Sequence, residues 1–156
     1  MTPDGGQRAA GVTYGIDIGG TKVLGVALDR ADTVVAEARV ATPKGTRNIV
    51  GSHVAAAVAE VVAGLDRSLA ATAPTPVGVG APGMVDRGGR LRFAPNLPQA
   101  QGVDWNELMG DRLPGRALLI ENDANFAVLA EQRLGAARGH DHVVMVTLGT
   151  GIGGGS

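Results

Sequence analysis

Four times in this sequence a short apolar segment runs into a glycine-rich or polar corner, and that recurrence limits the fold more than any other feature. Tyr14–Ile18 stops at Gly19-Gly20, Val77–Ala81 at Pro82-Gly83, Ala117–Ile120 at Glu121-Asn122-Asp123, and Val143–Leu148 at Gly149-Thr150-Gly151. Short apolar runs bounded by turn signals read as buried strands. Lys22–Leu28 and Thr33–Ala41 also have strand character, and Asp29-Arg30-Ala31-Asp32 between them predicts a hairpin turn. With Tyr14–Ile18 they make an antiparallel meander. Asn48 opens a helix expected to run to about Ala71. Its Val50, Val54, Val58, Val61, Val62 and Leu65 recur at helical spacing, and Ala73-Pro74-Thr75-Pro76 stops it. Asp104–Leu113 predicts a short helix capped by Asp104. A further helix begins at Asn122 or Asp123 and ends in a glycine cap at Gly135. A meander followed by alternating helix and strand predicts an α/β fold: a mixed sheet with helices on both faces. Residues 1–12 read as a flexible N-terminal tail, which leaves 13–156 as one domain.

Composition supports a globular chain and excludes several functions. The 156 residues suffice for one domain with a real core. Aromatics are only 3%, so Val, Ala, Leu and Ile must build that core. With 14 basic and 15 acidic residues, nothing resembles the basic stripe that nucleic acid requires. The absence of cysteine excludes disulfides and thiolate metal sites within these residues. Met1–Gly11 lacks the apolar core of a signal peptide. Val54–Leu65 is too short to span a bilayer and contains Glu60. The expectation is therefore a cytoplasmic protein with no membrane or nucleic-acid partner.

The corners carry the candidate chemistry. In Asp17-Ile18-Gly19-Gly20-Thr21-Lys22, two glycines let the backbone bring its N–H groups near a phosphate. Thr21 and Lys22 add a hydroxyl and a charge, and Asp17 suits Mg²⁺, which takes one or two carboxylates plus phosphate oxygens. A plain hairpin turn explains the same residues equally well. Leu148–Gly155 reads as a second phosphate loop, because so many glycines cost backbone entropy without structural return. Two patterns mislead. Gly78–Gly83 and Gly149–Gly154 both match G-x-G-x-x-G, but neither is followed by the helix a dinucleotide site needs. Gly15–Lys22 has P-loop glycine spacing but reads G-T-K. Met84-Val85-Asp86-Arg87-Gly88-Gly89 is hairpin-like instead.

Glu121-Asn122-Asp123-Ala124-Asn125 has more polar residues than a helix cap needs. It also lies at the C-terminal end of a buried strand, where ligands of α/β sheets bind. A carboxylate at a helix N-terminus is favoured as the anion, as a base for an alcohol must be. Ala94-Pro95-Asn96-Leu97-Pro98 holds Asn96 in a stiff loop that composition alone reads as a surface turn. His140 and His142 flank Asp141 in what reads as a solvated loop rather than a metal site. Met84 and Met109 read as core or gap-filling residues.

Together and in this order, Asp17–Lys22, Gly78–Gly83, Ala94–Pro98, Glu121–Asn125 and Leu148–Gly155 resemble the ROK family of repressors, unknown reading frames and sugar kinases, and above all its bacterial glucokinases. The resemblance covers the chain from Tyr14 onward. It implies an actin-like ATPase (ribonuclease-H-like) lobe, with ATP and Mg²⁺ as cosubstrates and a hexose, glucose above all, phosphorylated to the 6-phosphate. Asp123 matches the catalytic base, Asn96 and Asn122 the residues on sugar hydroxyls, and Gly83 the sugar-facing turn. Gly19, Gly20, Thr21 and Lys22, with Thr150 and Gly151, match the phosphate loops, and Asp17 helps position Mg²⁺. Family members continue with a Gly-Glu-x-Gly-His sugar segment, a cysteine-rich structural zinc site and the adenosine pocket. None of these occurs here, so the chain is expected to be the N-terminal lobe, inactive alone. It should expose an apolar patch where the C-terminal lobe packs, and form a homo-oligomer at full length. A sugar-responsive repressor of the same family would need a helix-turn-helix domain upstream, and 13 residues precede Tyr14. A non-catalytic sugar-binding lobe, polyphosphate as donor, and N-acetylmannosamine, fructose or allose as acceptor remain alternatives.

Overall fold

The computed structural model describes residues 11–43, 50–86, 88–93, 102–148 and 152–156. The meander forms as its sequence requires. β1 (Thr13–Ile18) pairs antiparallel with β2 (Lys22–Leu28), and β2 with β3 (Val34–Ala41). The β2–β3 turn is built by Asp29, whose Oδ1 accepts from the Ala31 and Thr33 amides at 2.8 and 3.0 Å. Asp32 takes the left-handed conformation there, with φ 57°, which Asp tolerates better than most residues.

Helix α1 (Val50–Leu69) then returns the chain so that β4 (Val77–Ala81) lies parallel to β1. After a small hairpin of β5 (Met84–Val85) and β6 (Leu91–Phe93), helix α2 (Trp105–Arg112) leads to β7 (Leu118–Asn122), parallel to β4. The five-stranded sheet has the order β3-β2-β1-β4-β7.

One face of this sheet holds the core. Tyr14, Ile16 and Ile18 of β1, Val23 and Ala27 of β2, and Val77, Val79 and Ala81 of β4 alternate toward it. They pack with Val54, Val58, Val61, Val62 and Leu65 of α1, each at most 1% exposed. Burying each such side chain is worth about 1.5–3 kcal/mol. Gly25 sets how close α1 comes, since a Cβ there would lie 2.4 Å from Val61 Cγ1 and 2.8 Å from Ile16 Cδ1. Trp105 and Met109 of α2 extend the core, and Asp104 caps that helix by accepting from the Glu107 amide at 3.1 Å. At the far end, Asp66 accepts from the Tyr14 hydroxyl and pairs with Arg116, which also donates to the Thr75 carbonyl. Burial pushes the Tyr14 hydroxyl pKa up, and the neighbouring Asp66 adds to it against the opposing effects of Thr75 and Arg116.

Helix α3 (Asp123–Leu134) covers part of the other face, so helices do lie on both faces. Glycines 78 and 80 alternate in β4 because this helix presses on that side: a Cβ at either would lie within 3.7 Å of the Phe126 ring. The dinucleotide-like spacing is thus a packing feature.

Several expectations are corrected. The strand foreseen over Ala117–Ile120 runs Leu118–Asn122, so Glu121 and Asn122 are strand residues. The helix foreseen to Ala71 ends at Leu69, and its expected start at Asn48 lies outside the described residues. Strand β8 is Met145–Leu148 and pairs with β9 (Ile152–Gly155) rather than joining the main sheet. Half of the glycine-rich tract is therefore strand. Gly135 ends α3 without a left-handed turn, at φ −109°. Met109 is buried as expected, but Met84 is 65% exposed. Val12, assigned to the tail, is buried in the core.

Candidate active site

Parallel pairing of β1, β4 and β7 brings their C-terminal ends to one edge, and the start of β2 joins them there. Asp17 lies level with Gly80, and Gly80 with Glu121. Corners far apart in sequence thereby become neighbours.

The first corner is a tight turn. The Gly19 amide donates to the Lys22 carbonyl at 3.0 Å, and Thr42, just after β3, braces the turn through its amide, which donates to the Thr21 carbonyl at 3.0 Å. The Thr42 hydroxyl donates to the Gly19 carbonyl at 2.6 Å. A Cβ on Gly19 would lie 2.9 Å from the Lys22 carbonyl oxygen, so the fold itself demands glycine. A Cβ on Gly20 would meet nothing within 4 Å. Gly20, Thr21 and Lys22 are exposed.

The third corner is knotted to the second. Asn122 caps α3, its Oδ1 accepting from the Ala124 and Asn125 amides at 2.9 and 3.2 Å. Its Nδ2 donates to the Gly83 carbonyl at 2.6 Å. Gly83 sits at φ 104°, a conformation only glycine adopts without strain. Asp123 follows at the first position of the helix, exposed, with Oδ1 accepting from the Ala124 amide at 2.8 Å. Strand β9 presses on the same turn, where a Cβ on Gly155 would lie 2.8 Å from the Ala124 carbonyl oxygen.

Asp17 and Asp123 both line a cleft of about 690 Å³, together with Gly80, Leu24, Phe126 and Thr147. Burial pushes the Asp17 carboxyl pKa up, the negative charge of Asp123 adds to it, and Lys22 opposes it. Two carboxylates in one cleft with an opposing lysine suit a ligand that brings positive charge to the acids and negative charge to the lysine. A magnesium–phosphate complex has that polarity.

Residues 13–156 match the ROK family along that whole length. The chain belongs to the ROK family. Among its relatives is the glucokinase of Streptomyces coelicolor, 36% identical over 93% of this chain and 43% of the longer protein. The inorganic polyphosphate/ATP-glucomannokinase of Arthrobacter sp. strain KM superposes with a TM-score of 0.81 at 40% identity, covering 92% of this chain and 57% of that one. A ROK family glucokinase from Streptomyces griseus, solved with glucose and AMPPNP, gives 0.77 at 36% identity, covering 92% and 43%. The chain thus spans about half the length of the proteins it matches, and its fold is that of the ROK sugar kinases, the actin-like ATPase fold.

Within this ROK chain the structure gathers Asp17, Gly19, Gly20, Thr21, Lys22, Gly83, Asn122 and Asp123 at one sheet edge. Asn96, Thr150 and Gly151 lie outside the described residues. Sequence reasoning missed the individual parts of Glu121 and Asn125. Their side chains bond to each other, Asn125 Nδ2 donating to Glu121 Oε1 at 3.1 Å. The signal was available only as two polar residues four positions apart across a strand-to-helix corner. Among the described residues no three metal-ligating side chains cluster, His140 and His142 included. No described helix is long and apolar enough to cross a membrane.

Proposed function

We propose that this chain is the N-terminal lobe of a sugar kinase that moves the γ-phosphoryl group of ATP to a hexose hydroxyl, with glucose as the acceptor. The observation that carries the reading is Asp123: an exposed carboxylate at the C-terminal edge of β7, in one cleft with Asp17, whose strand leads into the exposed Gly20–Lys22 turn. The family membership and the glucose- and AMPPNP-bound relative support the same chemistry.

In this reading Asp123 takes the proton from the sugar hydroxyl as its oxygen attacks the γ-phosphorus, and the bond to the β–γ bridging oxygen breaks. Asn122 and Gly83 shape the sugar side of the corner, with Asn96. Asn122 has one amide hydrogen left beyond its bond to Gly83, so it can donate to a hydroxyl oxygen. Gly20 leaves room for a phosphate to approach the backbone, and Lys22 offers charge. The Thr150-Gly151 segment forms the second phosphate contact. The residues present fit Mg²⁺, which takes one or two carboxylates and leaves the rest of its shell to water and phosphate. Asp17 would hold it, and bound there it would offset charge on the phosphates. The remaining sugar and adenosine contacts belong to a second lobe, which would also cover the exposed Val144, Val146 and Leu148 of the β8 segment.

The test is a coupled assay on the full-length protein with ATP, Mg²⁺ and glucose, run in parallel with polyphosphate and with mannose, since one relative bears the name glucomannokinase. Asp123→Asn should lower kcat by about 10²–10⁴-fold while glucose affinity changes little. Wild-type-like turnover in that variant removes Asp123 from the chemistry.

A further inference from the structure

We infer that Glu121 and Asn125 are positioning residues for this transfer: their side chains together lock the corner from which Asp123 projects. The inference rests on the kinase reading above.

Helix capping does not explain them. Asn122 supplies an acceptor for both the Ala124 and Asn125 amides, and Asp123 Oδ1 a second one for Ala124, so the helix start does not need Glu121. Glu121 Oε1 instead accepts from the Asn122 amide at 2.7 Å and from Asn125 Nδ2 at 3.1 Å. The first bond fixes the Glu121–Asn122 peptide at the end of β7, one residue ahead of Asp123. The second reaches past Asp123 to the first turn of α3. Residues 121, 122, 124 and 125 are thus bound to one another, and Asn122 is bound in turn to Gly83. Between them Asp123 points outward with Oδ2 unpartnered among the described residues. A half-buried carboxylate that caps nothing and bonds on both sides of the proposed base acts on that base's direction. Direction is what proton transfer in a near-attack geometry requires, and a shift of about 1 Å can cost 10²-fold in rate.

The geometry separates this role from a direct one. Only an acceptor oxygen is needed at Oε1, and glutamine has one. The full-length protein is assayed with ATP, Mg²⁺ and glucose as wild type, Glu121→Ala, Glu121→Gln and Asn125→Ala. Glu121→Ala should lose about ten- to a hundred-fold in kcat, with glucose affinity within about threefold and the pH–rate profile unmoved. Glu121→Gln should recover most of the lost kcat. Asn125→Ala should fall between, and combining it with Glu121→Ala should cost less than the product of the single losses. Thermal melts identify any variant that fails to fold, and Glu121→Gln, nearly isosteric, carries the test in that event. Wild-type kcat in Glu121→Ala overturns the inference. So does a Glu121→Gln variant as slow as Glu121→Ala, which would assign the role to charge. If the wild type itself turns over no sugar with any donor, the kinase reading fails, and the inference with it.

Discussion

Replacing Asn122 with alanine should destabilise the fold before any sugar is added. The change removes the Nδ2 bond to the Gly83 carbonyl and the Oδ1 acceptor for two helix amides. Losing an N-cap costs about 1 kcal/mol, and an intramolecular hydrogen bond is worth about 0.5–1.5 kcal/mol net. Asp123 Oδ1 still accepts from the Ala124 amide, so part of the cap survives. The expected loss is about 1–2 kcal/mol. At about 2–4 °C per kcal/mol for a domain of this size, the melting temperature falls by about 2–8 °C. Asn122→Asp separates the contributions: it keeps the capping oxygen but sets a carboxylate against the Gly83 carbonyl, so it too should melt low. Circular dichroism melts of the sugar-free 156-residue chain give the answer. If Asn122→Ala melts within about 1 °C of wild type, the corner is not held as described. If only Asn122→Asp matches wild type, the Gly83 bond contributes nothing.

Asp17→Asn should raise stability at pH 7. The folded-state pKa of Asp17 lies above its ordinary 3.8, so the fold favours the protonated form and stability drops as pH rises through that interval. Melts at pH 7 should show the variant ahead, and the gain should vanish below the ordinary carboxylate value; an equal gain at both ends would assign it to something other than ionisation. Gly25→Ala should destabilise by about 1–3 kcal/mol, because its Cβ would overlap Val61 and Ile16. A denaturant titration showing a neutral or more stable variant would mean that α1 shifts freely on the sheet.

Much of the fold was legible because its causes are local. Strand and helix periods, the Asp29 turn and the Asp104 cap depend on residues a few positions apart, and each is where the residues place it. The Glu121–Asn125 segment was visible too, as polar residues in excess of a cap. The chain could not show what Gly78 and Gly80 are for, since their reason is the Phe126 ring on a helix more than one element later. Nor could it show that Ile152–Gly155 folds back on β8, where Gly153 and Gly155 are small because Thr147 and the start of α3 lie against them. Met84 reads as a core residue by type, but its two-residue strand stands on a hairpin outside the sheet and leaves it exposed.

By itself, then, the sequence determined the strands of the main sheet, the three helices, and which corners carry glycine, amide and carboxylate, because backbone preference and amphipathic period act within one element. Tertiary structure alone decided that those corners meet. Parallel alignment of β1, β4 and β7 sets Asp17 level with Gly80 and Glu121. That alignment puts two carboxylates in one cleft, where burial, with the charge of Asp123 adding to it, raises the pKa of Asp17. It also commits Asn122 to a carbonyl 39 residues away. Such contacts depend on strand order, and strand order is settled by burying α1 and α3 on opposite faces of the sheet, a property of the whole chain.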